Sequence, residues 1–355
     1  MVALLAIFFA LNAWSLPQYA LTPGDATPVA PLVKVHGVAT DPHHDTIMLT
    51  DVYLTSLNAW RWLVLHLQSH VEFVGASQLV DPGVPTDELV AQGYLQMSDS
   101  KMAAEVAAFD ALGWTTPSTP TGAVLSSVVA SSPARRAGLH VADEIVAVNG
   151  RPVTSDCSLI SRLHDTLPGT PVRLGVARAK ISASGDITWT APTTLTLTTA
   201  AVPRAQSGPS SCVGVTGTSR SWIGVIVEDG RRYSLPARVS INTSNIGGPS
   251  AGLAMALTLI DRLSKGSLTG HQVVAATGTI DPHGVVGDVG GVAEKTVAVQ
   301  RGGAKFFIVP QVEVATARGV AAPGLKIIGV TTLAQALSDL RAIGGAAPVP
   351  LTTPR

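Results

Sequence analysis

Apolar and polar positions follow two different periods along this chain, and the switches between them mark its elements. Residues 1–16 are almost wholly apolar (Val2, Leu4, Ile7, Phe8, Phe9, Leu11, Trp14), and Pro17 closes the run. As a helix the run would be ~24 Å long, slightly short of the ~30 Å hydrocarbon core of a bilayer. It has no polar face, no preceding Lys or Arg, and no convincing cleavage site, so it reads as an export signal-anchor with a truncated cytoplasmic start. The alternative is a helix of the core. Next come predicted strands at 32–35 and 47–54 and a helix at 98–112 that Gly113 ends. Residues 123–129 alternate as a strand, and 132–137 form a short helical turn with Pro133 near its start and Gly138 as its cap. A strand at 144–148 then runs into the Asn149-Gly150 turn. Residues 200–221 are rich in Ser, Gly, Thr and Pro, as a linker is. Beyond them strands at 222–227, 237–242, 272–280, 305–309 and 325–330 alternate with helices at 249–263, 292–301, 312–318 and 333–343. That βαβα rhythm implies partly parallel pairing.

These elements make an α+β multidomain chain. The expected division is an anchor (1–16), a mixed α/β region (17–116), a small β domain (117–202), a linker (203–221), an α/β domain (222–345) and a tail (346–355). At 355 residues, two or three domains are expected. Charged residues are 14% of the chain, well below the usual ~25%, and hydrophobic ones are 46%, which excludes general disorder. The 24 basic and 24 acidic residues cancel, leaving no bulk attraction for nucleic acid. Cys157 and Cys212 can make neither a disulfide framework nor a thiolate zinc site; one bridge between them is left open. His43 and His44 occupy a polar turn without the carboxylates or histidines of a metal site, so no metal or cofactor is expected.

Candidate chemistry begins at Gly247-Gly248-Pro249-Ser250-Ala251-Gly252, which enters a helix with the apolar stripe Leu253, Ala256, Leu257 and Ile260. Unpaired N–H groups at such an entry converge on Ser250 and offer a ready-made oxyanion hole. Ser250 can also be read as a plain helix cap. Lys295 shares the stripe of Val292, Ala298 and Val299, an inward placement unusual for lysine, unless its stem snorkels from the edge. Serine at a helix start and an inward lysine are the ingredients of a Ser-Lys dyad, in which neutral lysine takes the hydroxyl proton. Such a base needs its pKa lowered by about 3 units, roughly 4 kcal/mol. Desolvation and the positive helix end at Ser250 both push that way. The same stretch fits G-x-S-x-G, the nucleophile elbow of α/β-hydrolases. Of the downstream histidines, however, His271 and His283, the latter is too close to Asp281 for that fold, and no strand runs into the serine.

Two blocks carry a family resemblance. Ser132-Pro133-Ala134 through Ala137-Gly138-Leu139, followed by Asp143-Glu-Ile-Val-Ala-Val-Asn-Gly150, resembles a PDZ domain, with Ala142 where that family usually has Gly. The resemblance implies peptide binding at a sheet edge, with a carboxylate-binding loop between Trp114 and Gly122. The second block comprises Gly248-Pro-Ser-Ala-Gly252, Ala276-Thr-Gly-Thr-Ile280, Val289-Gly-Gly-Val-x-Glu-Lys295 and Ala304-Lys-Phe-Phe-Ile-Val-Pro310. It resembles the proteolytic domain of Lon proteases, including its serine-to-lysine spacing. The resemblance implies Ser250 as nucleophile, Lys295 as base, Thr277 as an orienter of the lysine and Gly248 in the loop before the nucleophile. Gly247 replaces a common acidic residue, and Ala293 a common lysine. No G-x-x-x-x-G-K-[ST] occurs. The whole order is similar to bacterial membrane-anchored PDZ-Lon proteins. It implies an ATP-independent serine endopeptidase for unfolded or exported polypeptides, tethered to the membrane with its domains outside the cytoplasm. Polypeptides and the membrane are the expected partners, nucleotide and nucleic acid are not, and a homo-oligomer is left open. The competing class is a non-catalytic PDZ scaffold or chaperone-like protein.

Overall fold

The computed structural model describes residues 2–42, 45–79, 86–164, 166–182, 185–203, 212, 221–243 and 246–352. His43 and His44 lie outside these residues. The chain divides into two compact units. The first joins Met1–Asp81, Asp99–Thr116 and Leu235–Arg355, and the second joins Pro82–Ser98 and Pro117–Ser234.

The first unit is built on a six-stranded sheet in the order Lys326–Val330, Phe306–Pro310, Val274–Ala276, Ile47–Asn58, Ser15–Pro28, Glu72–Gly75. The first four strands run parallel, and the last two pair antiparallel. Phe306–Pro310 is buried at every position, as a parallel strand covered on both faces must be. On one side pack Val292, Val299, Val314 and Ala317 with Phe307 and Val309. The helix Gly252–Leu263 is buried along nearly its whole length. This sheet corrects the expected division: residues 17–116 are not a separate region, because Ile47 and Met48 pair in parallel with Val274 and Ala275. Period-2 alternation identifies a strand but not its partner.

The N-terminal helix covers Val2–Ala13, 12 residues, or ~18 Å. No helix among the described residues is long and apolar enough to cross a membrane. Strand pairing takes over at Ser15, opposite Asn58, so the helix does not extend over the whole of 1–16. None of the helix is buried, so it is not a core helix.

The second unit is an antiparallel sheet in the order Thr193–Thr198, Pro171–Ala177, Glu144–Val148, Ser118–Val128, Val225–Tyr233. Its core holds Leu125, Leu139, Ile145, Leu159 and Leu174. The strand read at 222–227 and assigned to the α/β domain belongs here, with Val225 opposite Val128 and Tyr233 opposite Ser118. Of the expected linker 203–221, residues 204–211 and 213–220 lie outside the described residues, and a disulfide joins its Cys212 to Cys157, with Cα atoms 5.4 Å apart.

Two local features generate tests. Ala142 has φ +71°, a left-handed conformation in which a Cβ costs ~1–2 kcal/mol. Ala142→Gly is therefore expected to stabilise the second unit by about 1 kcal/mol, read as a higher denaturation midpoint; a lower one would contradict the account. In the first unit Asp261 Oδ2 accepts the Asp45 N–H at 2.8 Å and Oδ1 the Leu268 N–H at 3.2 Å. Burial, with the nearby Asp45 carboxylate adding to it, pushes the Asp261 carboxyl up to about 7. The folded state then binds a proton that the unfolded state releases near pH 4, so stability falls as pH rises through that window and levels above about 7. Asp261→Asn should flatten this slope in pH-dependent melts.

Candidate active site

Ser250 lies in the turn that enters the helix Gly252–Leu263. The N-cap of that helix is Ala251, with no side-chain cap hydrogen bond, so Ser250 is not the cap. Gly248, with φ +88°, bends the chain into the turn in a conformation that favours glycine. Both peptide planes around the serine are held by their carbonyls. Pro249 O accepts the Ser100 hydroxyl at 2.9 Å and the Gly252 N–H at 3.4 Å. Ser250 O accepts the Gly278 N–H at 3.0 Å and the Thr277 hydroxyl at 3.2 Å. In a trans peptide the C=O and N–H point in opposite directions. The Ser250 and Ala251 N–H groups are therefore turned away from these anchors, and neither donates to a described residue. Two free donors beside a hydroxyl at a helix start are what a developing oxyanion requires.

Gly252 serves packing. A Cβ there would lie 2.8 Å from Ile280 Cγ2 and 2.9 Å from Ser100 Oγ, so a side chain would push the turn off its supports.

Lys295 is the fourth residue of the helix Val292–Arg301, whose N-cap Gly291 has φ +67°. A Cβ on Gly291 would come within 2.9 Å of Val52 Cγ1, so glycine lets the lysine helix start against the sheet. Lys295 is 3% exposed, which excludes snorkelling. Burial lowers its pKa from 10.5 to about 8, against the opposing pull of Asp51, Glu313 and Glu294. No hydrogen bond or ion pair holds its ammonium among the described residues, and none joins it to Ser250 Oγ. In unliganded sites such bonds are often long and tighten with substrate. Thr277 is fully buried, and its hydroxyl bonds the serine's main chain rather than the lysine. The hydrolase-type triad has no support here. Asp281 Oδ1 is taken by the N–H groups of His283 and Val285 at 2.9 and 2.8 Å, and His271, 84% exposed, lies 3.6 Å from Asp45.

The stretch 114–122, where the carboxylate-binding loop is expected, runs into the strand Ser118–Val128, which pairs with Val225–Tyr233 along its length and with Glu144–Val148 at Ala123 and Val124. Among the described residues the second unit's sheet has two edge strands, Thr193–Thr198 and Val225–Tyr233, and the helix Asp156–His164 packs on the second. At its start Ile223 O accepts the Ala134 N–H at 2.8 Å and Gly224 O the Val129 N–H at 3.0 Å. The Gly224 N–H is thereby turned outward. Gly224 has φ +83°, and a Cβ on it would meet Ser132 Cβ at 2.1 Å, so only glycine fits. The apolar-Gly-apolar run Ile223-Gly224-Val225 was the available signal for this edge. Ser100 had no signal: it is a lone serine inside a helix.

The Lon protease (S16) C-terminal proteolytic domain matches residues 242–339, and the PDZ domain matches residues 96–187. Among curated relatives, the periplasmic pH-dependent serine endoprotease DegQ of Escherichia coli (strain K12) is 35% identical over 29% of this chain and 20% of its own length. The Lon protease of Rickettsia felis is 36% identical over 25% of this chain and 12% of its own. Lon protease 1 of Herpetosiphon aurantiacus is 36% identical over 34% of this chain and 15% of its own. The chain thus spans a fifth or less of these relatives. The crystal structure of the PDZ domain of an SdrC-like protein from Listeria monocytogenes aligns over 31% of this chain and 90% of that one, at 19% identity and a TM-score of 0.23, too low a score to bear on the fold. Ser250, Thr277 and Lys295 all fall inside the stretch that matches the Lon protease C-terminal proteolytic domain, and a second stretch matches the PDZ domain.

Proposed function

We propose that this protein is an ATP-independent endopeptidase of the Ser-Lys type that cuts unfolded or exported polypeptides, with the PDZ domain recognising peptide at the Val225–Tyr233 edge. The observation that carries this reading is Lys295: a lysine buried to 3% exposure whose pKa falls to about 8 is a base available near neutrality. In this mechanism neutral Lys295 takes the Ser250 hydroxyl proton as Oγ attacks the scissile carbonyl. The oxyanion forms against the Ser250 and Ala251 N–H groups. Lysine then returns the proton to the leaving amine, and water, deprotonated by the same lysine, hydrolyses the acyl-serine. Peptide addition at a free sheet edge beside a helix supplies main-chain hydrogen bonds that are indifferent to most of the peptide's sequence.

Extracytoplasmic placement is supported by the Cys157–Cys212 disulfide, which persists in oxidising compartments. Association with a membrane is supported by exposed apolar surface. Phe8, Phe9, Trp14, Trp60 and Trp62 are all exposed, and Phe8 packs edge-on to Trp60 with centroids 5.0 Å apart. Contiguous apolar patches mark contact surfaces, and tryptophan favours the lipid headgroup level. ATP independence rests on the missing phosphate-binding motif.

Purified protein is expected to digest an unfolded polypeptide without nucleotide, and Ser250→Ala to abolish cleavage. Strict dependence on ATP, or equal digestion by Ser250→Ala, would refute the reading; the second result would favour the non-catalytic scaffold. The rate should also report on Lys295. Below its pKa the neutral fraction grows roughly tenfold per pH unit, so kcat/KM should climb with pH and level off above about 8. Lys295→Arg stays protonated throughout and should be inactive while remaining folded; near-normal cleavage by that variant would exclude lysine as the base.

A further inference from the structure

Ser100 is 4% exposed and sits in the helix Thr86–Ala111, 149 positions before Pro249, whose carbonyl accepts its hydroxyl at 2.9 Å. Helical serines commonly return the hydroxyl to their own helix; this one reaches the residue that precedes the nucleophile. The two peptide planes of the turn are not held equally. The Ser250–Ala251 plane has the Gly278 N–H at 3.0 Å, a backbone anchor that no side-chain substitution removes, besides Thr277. The Pro249–Ser250 plane has Ser100 and, at 3.4 Å, the Gly252 N–H, a long bond at the margin of useful geometry.

We infer that Ser100 is a positioning residue for the oxyanion: by holding the Pro249 carbonyl it fixes the peptide plane that aims the Ser250 N–H at the reacting oxygen. Gly252 makes this approach possible, since its missing side chain leaves room for Ser100 Oγ. The inference rests on Ser250 being the nucleophile and adds a residue that touches neither substrate nor reacting atoms.

The test uses the full chain, a fluorogenic peptide and a peptide boronate, which binds serine as a tetrahedral anion. Loss of one oxyanion donor costs 10²–10³ in kcat, so a donor left in place but loosely aimed should cost about tenfold or more. Ser100→Ala should lower kcat by that factor with KM within about twofold, and weaken the boronate in parallel, as transition-state binding requires. The midpoint of the pH–rate profile should stay where Lys295 puts it, and Ser100→Thr should restore kcat. If Ser100→Thr fails to fold, Ser100→Cys, of similar size but a weaker donor, should lower kcat less than Ser100→Ala at unchanged KM, and a kcat equal to that of Ser100→Ala or to wild type would count against the inference. Wild-type kcat and boronate affinity in Ser100→Ala would overturn the inference, as would a loss confined to KM or melting temperature, or a folded Ser100→Thr without rescue. A fluorophosphonate separates the two readings. Wild-type protein labelled at Ser250, with Ser100→Ala unchanged, sinks only this inference, whereas wild-type protein that neither cleaves nor labels sinks the nucleophile and this inference with it.

Discussion

The rigidity of the trans peptide is the constraint on which both candidate sites depend. A side chain can swing its polar atom, but a backbone N–H can be aimed only by fixing the carbonyl on the other side of the same plane. At the serine turn the carbonyls of Pro249 and Ser250 are both bound from behind by other elements. At the sheet edge of the second unit Ile223 and Gly224 are bound in the same way. Each arrangement leaves outward N–H groups at a bend, and an anion, whether a tetrahedral oxyanion or a peptide carboxylate, suits such groups. Glycine is required wherever a supporting element comes too close for a Cβ, at Gly252 and Gly224.

Burial of Lys295 follows from the sheet rather than from its own helix. Val292–Arg301 starts against Val52 and Leu21, residues of the two N-terminal strands, and its inner face meets Phe307 and Val309. The helix that carries the lysine is therefore packed by residues from both ends of the chain. The charges facing it, Asp51, Glu313 and Glu294, all favour the ammonium, so the lowered pKa is a contest that desolvation wins. This differs from a lysine held by a carboxylate, where the pair would keep the proton on nitrogen.

Much of the site was legible in the chain because its residues are short-range. Gly248-Pro249-Ser250-Ala251-Gly252 and Gly290-Gly291 with Lys295 on the following apolar stripe are local patterns, and the strand 305–309 was readable from a continuous apolar run. What could not be read was pairing. Residues 47–54 looked like a strand of a separate region, yet they lie at the centre of the first unit's sheet; Trp222 to Val227 looked like the start of the α/β domain, yet from Val225 it edges the other unit's sheet. Alternation states that one face is buried, not against what. Ser100 is the extreme case: its role is a contact across 149 positions, and nothing in its neighbours distinguishes it from any other helical serine.

The corrected pairing changes what a domain means in this chain. The second unit is made of two stretches that interrupt the first, Pro82–Ser98 and Pro117–Ser234. The chain passes between the units four times, after Asp81, Ser98, Thr116 and Ser234. The long helix leaves the second unit at Ser98 and enters the first at Asp99, one residue before Ser100; the edge strand ends at Tyr233, and the first unit resumes at Leu235. A fragment beginning at residue 222 would lack Ser15–Pro28, Ile47–Asn58 and Glu72–Gly75, half of the sheet's strands, and with them part of the packing of the Lys295 helix. It would also lack the hydroxyl behind Pro249. The stretch that matches the Lon proteolytic domain, residues 242–339, is therefore only a portion of a larger folding unit, and it lacks the strands Ser15–Pro28 and Ile47–Asn58 against which the Lys295 helix starts.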